Sequence, residues 1–170
     1  MTKGLNSAAD ESVLINPSED HFATLLTWVG SYDDLVEWGG PDMNHPTNDQ
    51  CLKADLCSEA YPSFSLVSES NELLAFGQCY LRLGRCHLCR LIVSPSHRGV
   101  GIVKLLIEKI SLEGRRTFNV SSCSLFVYET NVSAIKAYLK LRFSAVDYPE
   151  ENTLDNCLYM VKSWVELEPF

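Results

Sequence analysis

The segment from Val93 to Leu106, VSPSHRGVGIVKLL, constrains the fold most, because it has the pattern of a strand end, a basic glycine turn and an amphipathic helix. The first backbone amides of a helix lack intrahelical partners and carry a partial positive charge, so they can bind a phosphate. Gly99 and Gly101 let a ligand approach the backbone closely, and Arg98 adds a forked cation. A glycine turn before a helix is also a common plain connection, so this segment alone leaves both interpretations open.

A second segment, TNVSAIKAYLKLRF, carries a spaced set of polar, small and aromatic residues. They are Asn131, Ala134, Tyr138 and Phe143. Together with the glycine turn, they resemble the GNAT superfamily of N-acetyltransferases, which transfer an acetyl group from acetyl-CoA to an amine. The family signature N-x-x-A-x-x-x-Y-x-x-x-G-F is met here except at its glycine, which Arg142 replaces.

The glycine turn resembles the phosphate-binding turn of the same superfamily, written Q/R-x-x-G-x-G/A. Arg98 and Gly101 match its first two anchors, whereas Val103 stands where the family has a small residue. The resemblance spans roughly residues 62 to 163. It implies an α/β fold (α+β by some schemes) with a mixed central sheet of about seven strands, about four flanking helices and two central parallel strands that splay apart.

The resemblance also implies how acetyl-CoA is held. The pantetheine arm pairs with the free backbone of a central strand, and the pyrophosphate binds at the turn and helix start. Backbone amides of the same strand are the natural donors to the thioester oxygen, which becomes negative during the reaction. The residues expected to bind the cofactor are Leu91, Ile92, Val93, Arg98, Gly99, Val100, Gly101, Ile102, Val103, Lys104, Asn131 and Tyr138.

Tyr138 is the residue that the resemblance implies as the general acid, which protonates the departing CoA thiolate. It lies four residues after Ala134, so both occupy one face of the predicted helix and the tyrosine could simply pack there. Its spacing from Asn131 fits the family signature, and it follows the phosphate-binding turn in the chain. Both features favour the catalytic role.

His87 is a candidate general base, because it precedes Val93 by six residues on the central strand, where some relatives, the histone-type acetyltransferases, carry a catalytic glutamate. An imidazole with a pKa near ~6.5 can take up a proton directly or through water. A strand histidine can equally be a hydrogen-bonded spacer. Relatives with a glutamate on the later strand would place it at Phe126, which cannot act as a base, and others rely on bound water alone.

The acceptor site is expected in the stretch from Ser31 to Thr47, which the resemblance places beside the amine. Breakers such as Gly40 and Pro41 predict an irregular segment. Acidic and aromatic side chains suit an ammonium-bearing molecule, although they also suit a solvated loop with a buried tryptophan. The candidate acceptor residues are Tyr32, Asp33 and Trp38.

Two competing sites involve cysteine. The pair Cys86 and Cys89 around His87 has the spacing of a metal or redox motif. Residues three apart in a strand point to opposite faces, so we expect small apolar cysteines and no metal. A cysteine nucleophile at Cys123 or Cys79 has no recognisable base partner, and direct transfer in a ternary complex needs no such group.

Composition limits the class of protein. A chain of 170 residues with 46% hydrophobic and 21% charged residues fits one soluble domain, residues 1–170, with residues 1–11 flexible. A net charge of −8 argues against nucleic-acid binding, and short apolar runs argue against a membrane span. An odd count of seven cysteines and the lack of an apolar leader favour the cytoplasm.

Hydrophobic periodicity and turn residues predict the order β-α-α-β-β-β-α-β-α-β-β. The strands at 86–94 and 122–129, joined by a helix at 101–115, form a crossover and should lie parallel. Asn71 and Gly84 are expected at hairpin turns.

The sequence and its resemblance together predict an acetyl-CoA-dependent N-acetyltransferase in which a primary amine of a small molecule or peptide attacks the thioester directly. A homodimer is the expected assembly if the chain associates with itself. The alternative is a catalytically silent acyl-CoA-binding or sensing domain, because the side chain of Val103 could crowd the cofactor.

Overall fold

One mixed sheet organises the protein. The structure is a computed structural model that describes residues 12–44, 48–56, 59, 61–151 and 154–164. Its strands are β1 (Val13–Ile15), β2 (Ser63–Val67), β3 (Leu73–Arg82), β4 (Arg85–Val93), β5 (Ser122–Tyr128), β6 (Ser144–Val146) and β7 (Cys157–Ser163). Among the described residues they form a seven-stranded sheet in the order β1-β2-β3-β4-β5-β7-β6, which confirms the predicted α/β architecture. The expected flexible segment, residues 1–11, lies outside the described residues.

The described residues form five α-helices, one more than the sequence predicts. They are α1 (Glu19–Trp28), α2 (Tyr32–Gly39), α3 (Asp49–Leu56), α4 (Ile102–Phe118) and α5 (Val132–Lys140), and a 3₁₀ turn covers Pro95–His97. The expectation of an irregular segment from residue 31 onward is wrong for α2. The Ser31 side chain caps this helix by accepting from the backbone amide of Asp34, and Gly40, with φ of 96°, ends it.

The two central strands lie parallel for a short distance and then part. β4 and β5 pair from Cys86↔Cys123 to Leu88↔Leu125, while β4 continues to Val93 and β5 to Tyr128. Each strand keeps its outer neighbour, since β3 pairs with β4 and β7 with β5. Beyond Leu88 the strands therefore leave a gap, as the resemblance implied.

A bulge redirects β4 inside this gap. Phe76 pairs with Ile92 and Gln78 with Cys89, so one residue of β3 faces two of β4. Arg90, one of the two residues of β4 in the bulge, takes a left-handed backbone with φ of 51°. Gly77 lies opposite, and a β-carbon there would be 2.7 Å from Leu91 Cδ2, so a larger residue would force this side chain to move. The bulge thus changes which way the last residues of β4 face.

Each face of the sheet has its own hydrophobic core. The cluster on one face includes Leu106, Ile107 and Ile110 of α4 packed on strand residues such as Leu88. The cluster on the other face joins α1, α2 and α3 to the sheet and includes Phe76.

Within the described residues, no helix is long and apolar enough to cross a membrane.

Helix α5 ends in a glycine-type turn that contains no glycine. Arg142, at the position where the resembled family has glycine, has φ of 68°. The Phe143 amide donates to the Tyr138 carbonyl at 3.0 Å, and the Arg142 amide donates to that of Leu139 at 3.0 Å. This is the Schellman arrangement, with the Phe143 and Tyr138 rings 5.9 Å apart as its apolar contact. The departure from the family signature therefore leaves Tyr138 anchored.

The contact between α4 and β4 gives a test of the fold. A β-carbon on Gly114 would lie 2.1 Å from Cys86 Sγ, so Gly114→Ala should destabilise the protein by about 1–3 kcal/mol despite the better helix propensity of alanine. Urea unfolding measures this change. The double variant Gly114→Ala/Cys86→Ala should lose less stability than the sum of the two single variants, because removal of the sulfur relieves the overlap. Additive losses would contradict the contact.

Candidate active site

A large cleft opens where β4 and β5 separate. Its volume is about 1580 Å³, and its walls come from both strands, from α2 on one side and from the start of α4 and the length of α5 on the other. Ligands in such sheets bind beyond the carboxyl ends of parallel strands, where the connections diverge. The cleft therefore lies where the crossover predicted a ligand site.

The glycine turn presents free backbone amides to this cleft. Gly99 and Gly101 have φ of 78° and 92°, conformations that favour glycine. The amides of Lys104 and Leu105 both donate to the Gly101 carbonyl. Within the part of the chain that the structure describes, no hydrogen bond takes up the amides of residues 101–103. These donors, at the positive end of a helix of 17 residues, form an anion-binding cradle.

The structure brings together all but one of the residues expected to bind the cofactor. Val100 is the exception, since it is 46% exposed and does not line the cleft. Arg98 lines the cleft, and its Nε donates to the Val93 carbonyl at 3.3 Å. The others on the cleft wall are Leu91, Ile92, Val93, Gly99, Gly101, Ile102, Val103, Lys104, Asn131 and Tyr138.

The side chain of Val103 is half-buried and packs against the core cluster under α4. The anion cradle consists of backbone amides, which a side chain cannot remove. Val103 therefore leaves these donors in place where the family has a smaller residue.

Tyr138 and Asn131 approach the gap from α5. The Asn131 Oδ1 accepts from the Ala134 amide at 3.1 Å, so this residue caps the helix as well as lining the cleft. Tyr138 is 8% exposed and lines the same cleft. Burial raises the pKa of Tyr138 to about 12, so its phenol is protonated at neutral pH. A buried phenol at a strand gap can donate a proton.

His87 sits deep in the floor of the cleft. It is 2% exposed, and its Nδ1 forms a hydrogen bond of 2.9 Å with the Ser124 hydroxyl. The rings of Tyr80 and Phe126 flank the imidazole at 5.1 Å each. Burial, together with the nearby Arg82 guanidinium, lowers the pKa of His87 to about 3. The imidazole is therefore neutral at physiological pH and a weak base.

Helix α2 forms the opposite wall, but not with all of the expected acceptor residues. Trp38 lines the cleft. Tyr32 and Asp33, on the first turn of α2, do not, because the face of the helix turned to the cleft is the one that carries Asp34 and Glu37. Asp42, just after the helix, adds a third carboxylate to this wall.

A polar network fastens α2 to the bulge of β4. The Trp38 indole donates to the Arg90 carbonyl at 2.8 Å, and Arg90 Nε donates back to the Gly39 carbonyl at 2.9 Å. Arg90 Nη1 also donates to Gln78 Oε1 at 2.9 Å. The amide group of Gln78 in turn reaches the Leu56 carbonyl at the end of α3. One arginine thus joins both helices to the strand that bends.

Sequence reasoning missed an aromatic floor on the side of β4 that faces α2. Its cleft-lining members are Tyr61, Tyr80, Arg82, His87 and Phe126. Tyr80 and Arg82 alternate on β3, and Tyr80 pairs with His87 across the hairpin. Alternation of large polar side chains on β3, at Gln78, Tyr80 and Arg82, was the available signal, but only the register of three strands brings the members of the floor together.

The cysteines are packing residues in the described structure. Cys79, Cys86 and Cys123 are at most 1% exposed. Burial raises the pKa of Cys123 to about 11 and that of Cys89 to about 12, which disfavours the thiolate that nucleophilic catalysis requires. Among the described residues, no three histidine, cysteine or acidic side chains cluster in a way that could hold a metal ion.

Solved structures share this fold at low sequence identity. Spermidine N-acetyltransferase of Vibrio cholerae, crystallised with CoA and spermine, matches with a TM-score of 0.68 and 14% identity, over 91% of this chain and 96% of that one. A dodecameric structure of the same enzyme matches with a TM-score of 0.64 and 15% identity, over 91% and 94% of the two chains. Ribosomal-protein-S18-alanine N-acetyltransferase of Escherichia coli matches with a TM-score of 0.61 and 17% identity, over 94% and 99%.

The family assignment comes from the sequence itself. Residues 32–143, which carry α2, the bulged strand, the glycine turn and Tyr138, match the family described as Acetyltransferase (GNAT) family. That match covers most of the chain and the elements that build the cleft. The protein is therefore an acyltransferase enzyme that belongs to the GNAT acetyltransferase family.

Proposed function

We propose that this enzyme transfers the acetyl group of acetyl-CoA to a primary amine by direct attack in a ternary complex. One observation carries the proposal: the amides of residues 101–103 have no partner in the described chain, and these residues line a cleft that continues into the gap between β4 and β5. A diphosphate on these amides would direct the attached arm into that gap. The CoA-bound state of the Vibrio cholerae enzyme, which shares the fold, is consistent with this arrangement.

The chain supplies polar groups along the whole path of such a substrate. Arg98 and Lys104 add cations beside the cradle. Beyond Leu88, no strand of the described residues pairs with β4 on the side of the gap, so its backbone can pair with the amide groups of the pantetheine arm. Asn131 faces the arm from α5. In this proposal the amides of residues 91–93 stabilise the negative thioester oxygen.

Proton transfers complete the reaction. The amine must lose a proton, since a lysine-like amine has a pKa of about 10 in water and only the neutral form is nucleophilic. The departing thiolate must gain one, and Tyr138 is the proposed donor because it lines the cleft at the strand gap and its phenol is protonated at neutral pH. The role of His87 as the general base stays a prediction, and its lowered pKa is the observation against it. Bound water is the other candidate for that step.

The family assignment does not test several of the predictions made from the sequence. A cytoplasmic location, a homodimer and the lack of a resident metal stay predictions, as does the identity of the amine. A catalytically silent sensing domain is disfavoured, because the chain belongs to a family of acetyltransferases and Val103 leaves the cradle amides in place.

The decisive experiment pairs two measurements on the purified full-length chain. Titration with acetyl-CoA measures binding, and release of free CoA across a panel of primary amines measures turnover. We expect micromolar binding and turnover with at least one class of amine. Binding without turnover on any amine would favour the sensing domain, and no binding at all would refute the assigned cradle.

Arg98→Ala tests the cradle. Loss of a guanidinium that contacts phosphate should weaken acetyl-CoA binding by about tenfold, with a smaller effect on kcat. Isothermal titration measures the affinity. Arg116→Ala is the matched control, because Arg116 lies at the other end of α4, is 71% exposed and pairs with Glu113. Equal affinity in Arg98→Ala and the control would contradict the role of Arg98.

Tyr138→Phe tests the proton donor. It should lower kcat by about 100-fold and leave the affinity for acetyl-CoA unchanged, since the ring still packs. Tyr159→Phe is the control: its hydroxyl is buried without a partner among the described residues, so its loss should spare activity. An unchanged kcat in Tyr138→Phe would remove this residue from the mechanism.

The pH dependence separates His87 from water as the base. With a pKa of about 3, His87 stays neutral above pH ~4, so the profile of kcat/KM should show no inflection near pH 6.5 that depends on this residue. We expect His87→Gln to keep the shape of that profile and most of the rate. A loss of roughly 100-fold, or removal of an acid limb, would instead establish the imidazole as the base.

A further inference from the structure

Arg82 places a guanidinium at the point where the two central strands separate. It ends β3, and its guanidinium carbon lies 5.2 Å from the centre of the Phe126 ring and 5.3 Å from that of Tyr148. Phe126 is the first β5 residue beyond the last parallel pair, Leu88↔Leu125. Arg82 also lines the cleft. The cation therefore sits at the near end of the gap, on the side that faces α2.

The partners of Arg82 among the described residues are neutral. Nε and Nη2 donate to the Tyr148 hydroxyl, and Nη1 donates to that of Tyr80 at 3.0 Å. Three of its five N–H groups are used, which leaves one on each terminal nitrogen. No described carboxylate lies within 4.0 Å of the guanidinium. Glu150 is reached only indirectly, by accepting from the Tyr148 hydroxyl at 3.2 Å.

This environment holds the cation in position without neutralising it. Two rings and two hydroxyls fix the guanidinium plane, so little side-chain entropy is lost when an anion binds. A partly buried guanidinium with free N–H groups binds a carboxylate through charge-assisted hydrogen bonds. The sheet thus presents to the α2 side of the cleft a fixed positive charge that has no carboxylate partner among the described residues.

We infer that Arg82, with Tyr80, Phe126 and Tyr148, forms a subsite for a carboxylate of the acceptor. The acceptor is then a molecule that carries both a primary amine and a carboxylate, and a polyamine offers nothing to this subsite. The inference rests on the proposed function, because it assigns the acceptor of that reaction.

The fold sets the separation of the two groups. The reacting thioester is proposed beside residues 91–93, two to four residues along the strands from the level of Phe126, which is about 7–13 Å at the rise of a β-strand. This span is too long for the α-amine of an amino acid and suits an ω-amine or the amine of a short peptide. The carboxylates of Asp34, Glu37 and Asp42 on the opposite wall suit the ammonium end.

Matched substrate pairs test the subsite. 6-Aminohexanoate and glycylglycine carry the carboxylate at such a distance, and 6-aminohexanamide and glycylglycinamide differ from them only in that group. We expect kcat/KM to be roughly tenfold or more higher for the acid than for the amide in at least one pair. The pair that shows the preference distinguishes an ω-amino acid from a peptide. In parallel, calorimetry compares 6-acetamidohexanoate with its amide on CoA-saturated protein.

Three variants test whether Arg82 causes the preference for the acid over the amide. Arg82→Gln should abolish the preference for the acid in kcat/KM and in calorimetry, and Arg82→Lys should keep part of it. Arg85→Gln is the matched control, because Arg85 lies directly opposite Arg82 in the hairpin but does not line the cleft, and it should keep the full preference. Affinity for acetyl-CoA should be unchanged in all three variants.

The outcomes separate this inference from the proposed function. If the protein binds acetyl-CoA and acetylates amines but uses acids and amides equally, the carboxylate subsite is overturned and the acetyltransferase function stands. The same holds if the preference for the acid survives in Arg82→Gln. Absence of acetyl-CoA binding overturns the proposed function itself. Equal affinity of the two acetylated probes for the wild-type protein also overturns the subsite, whatever the activity.

Discussion

The cleft depends on the bulge of β4 and on the arginine inside it. Arg90 takes a left-handed backbone that costs free energy in a non-glycine residue, so other contacts must hold it there. Its carbonyl accepts from Trp38, and its side chain bonds Gly39 and Gln78. The bond from Trp38 satisfies a carbonyl of β4 in the region where this strand no longer pairs with β5. The same contacts that stabilise the gap therefore fix the helix that faces it.

Local chemistry explains what the sequence predicted well. The anion cradle and the cations beside it come from consecutive residues, Arg98 to Lys104. Their glycine turn and helix start depend on neighbours in the chain. The sequence does not predict the short helix α2, because the glycines after Trp38 are typical of an irregular segment. In the structure Gly40 ends a helix that Ser31 begins. A breaker marks a boundary, and the boundary alone does not decide which side is helical.

Long-range placement explains what the sequence could not predict. The site around Arg82 requires the β3–β4 hairpin, the short parallel pair and the β5–β7 pairing to be in register at once. Arg142 shows that a local motif can tolerate a substitution. It replaces the glycine of the family signature, and the helix still ends in the left-handed turn that this glycine would form. Spacing within a motif is thus a more reliable guide than the identity of any single residue in it.

The charges around the cleft have a consequence for how ligands arrive. One wall carries the carboxylates of α2, whereas the floor near the end of β3 carries a guanidinium, so charges of opposite sign face the cleft from different sides. A zwitterionic ligand in such a field is oriented before contact, which raises the share of productive collisions. Dissolved salt weakens such orientation over distances beyond about 8–10 Å. The rate of capture is therefore more sensitive to ionic strength than the affinity of the settled complex.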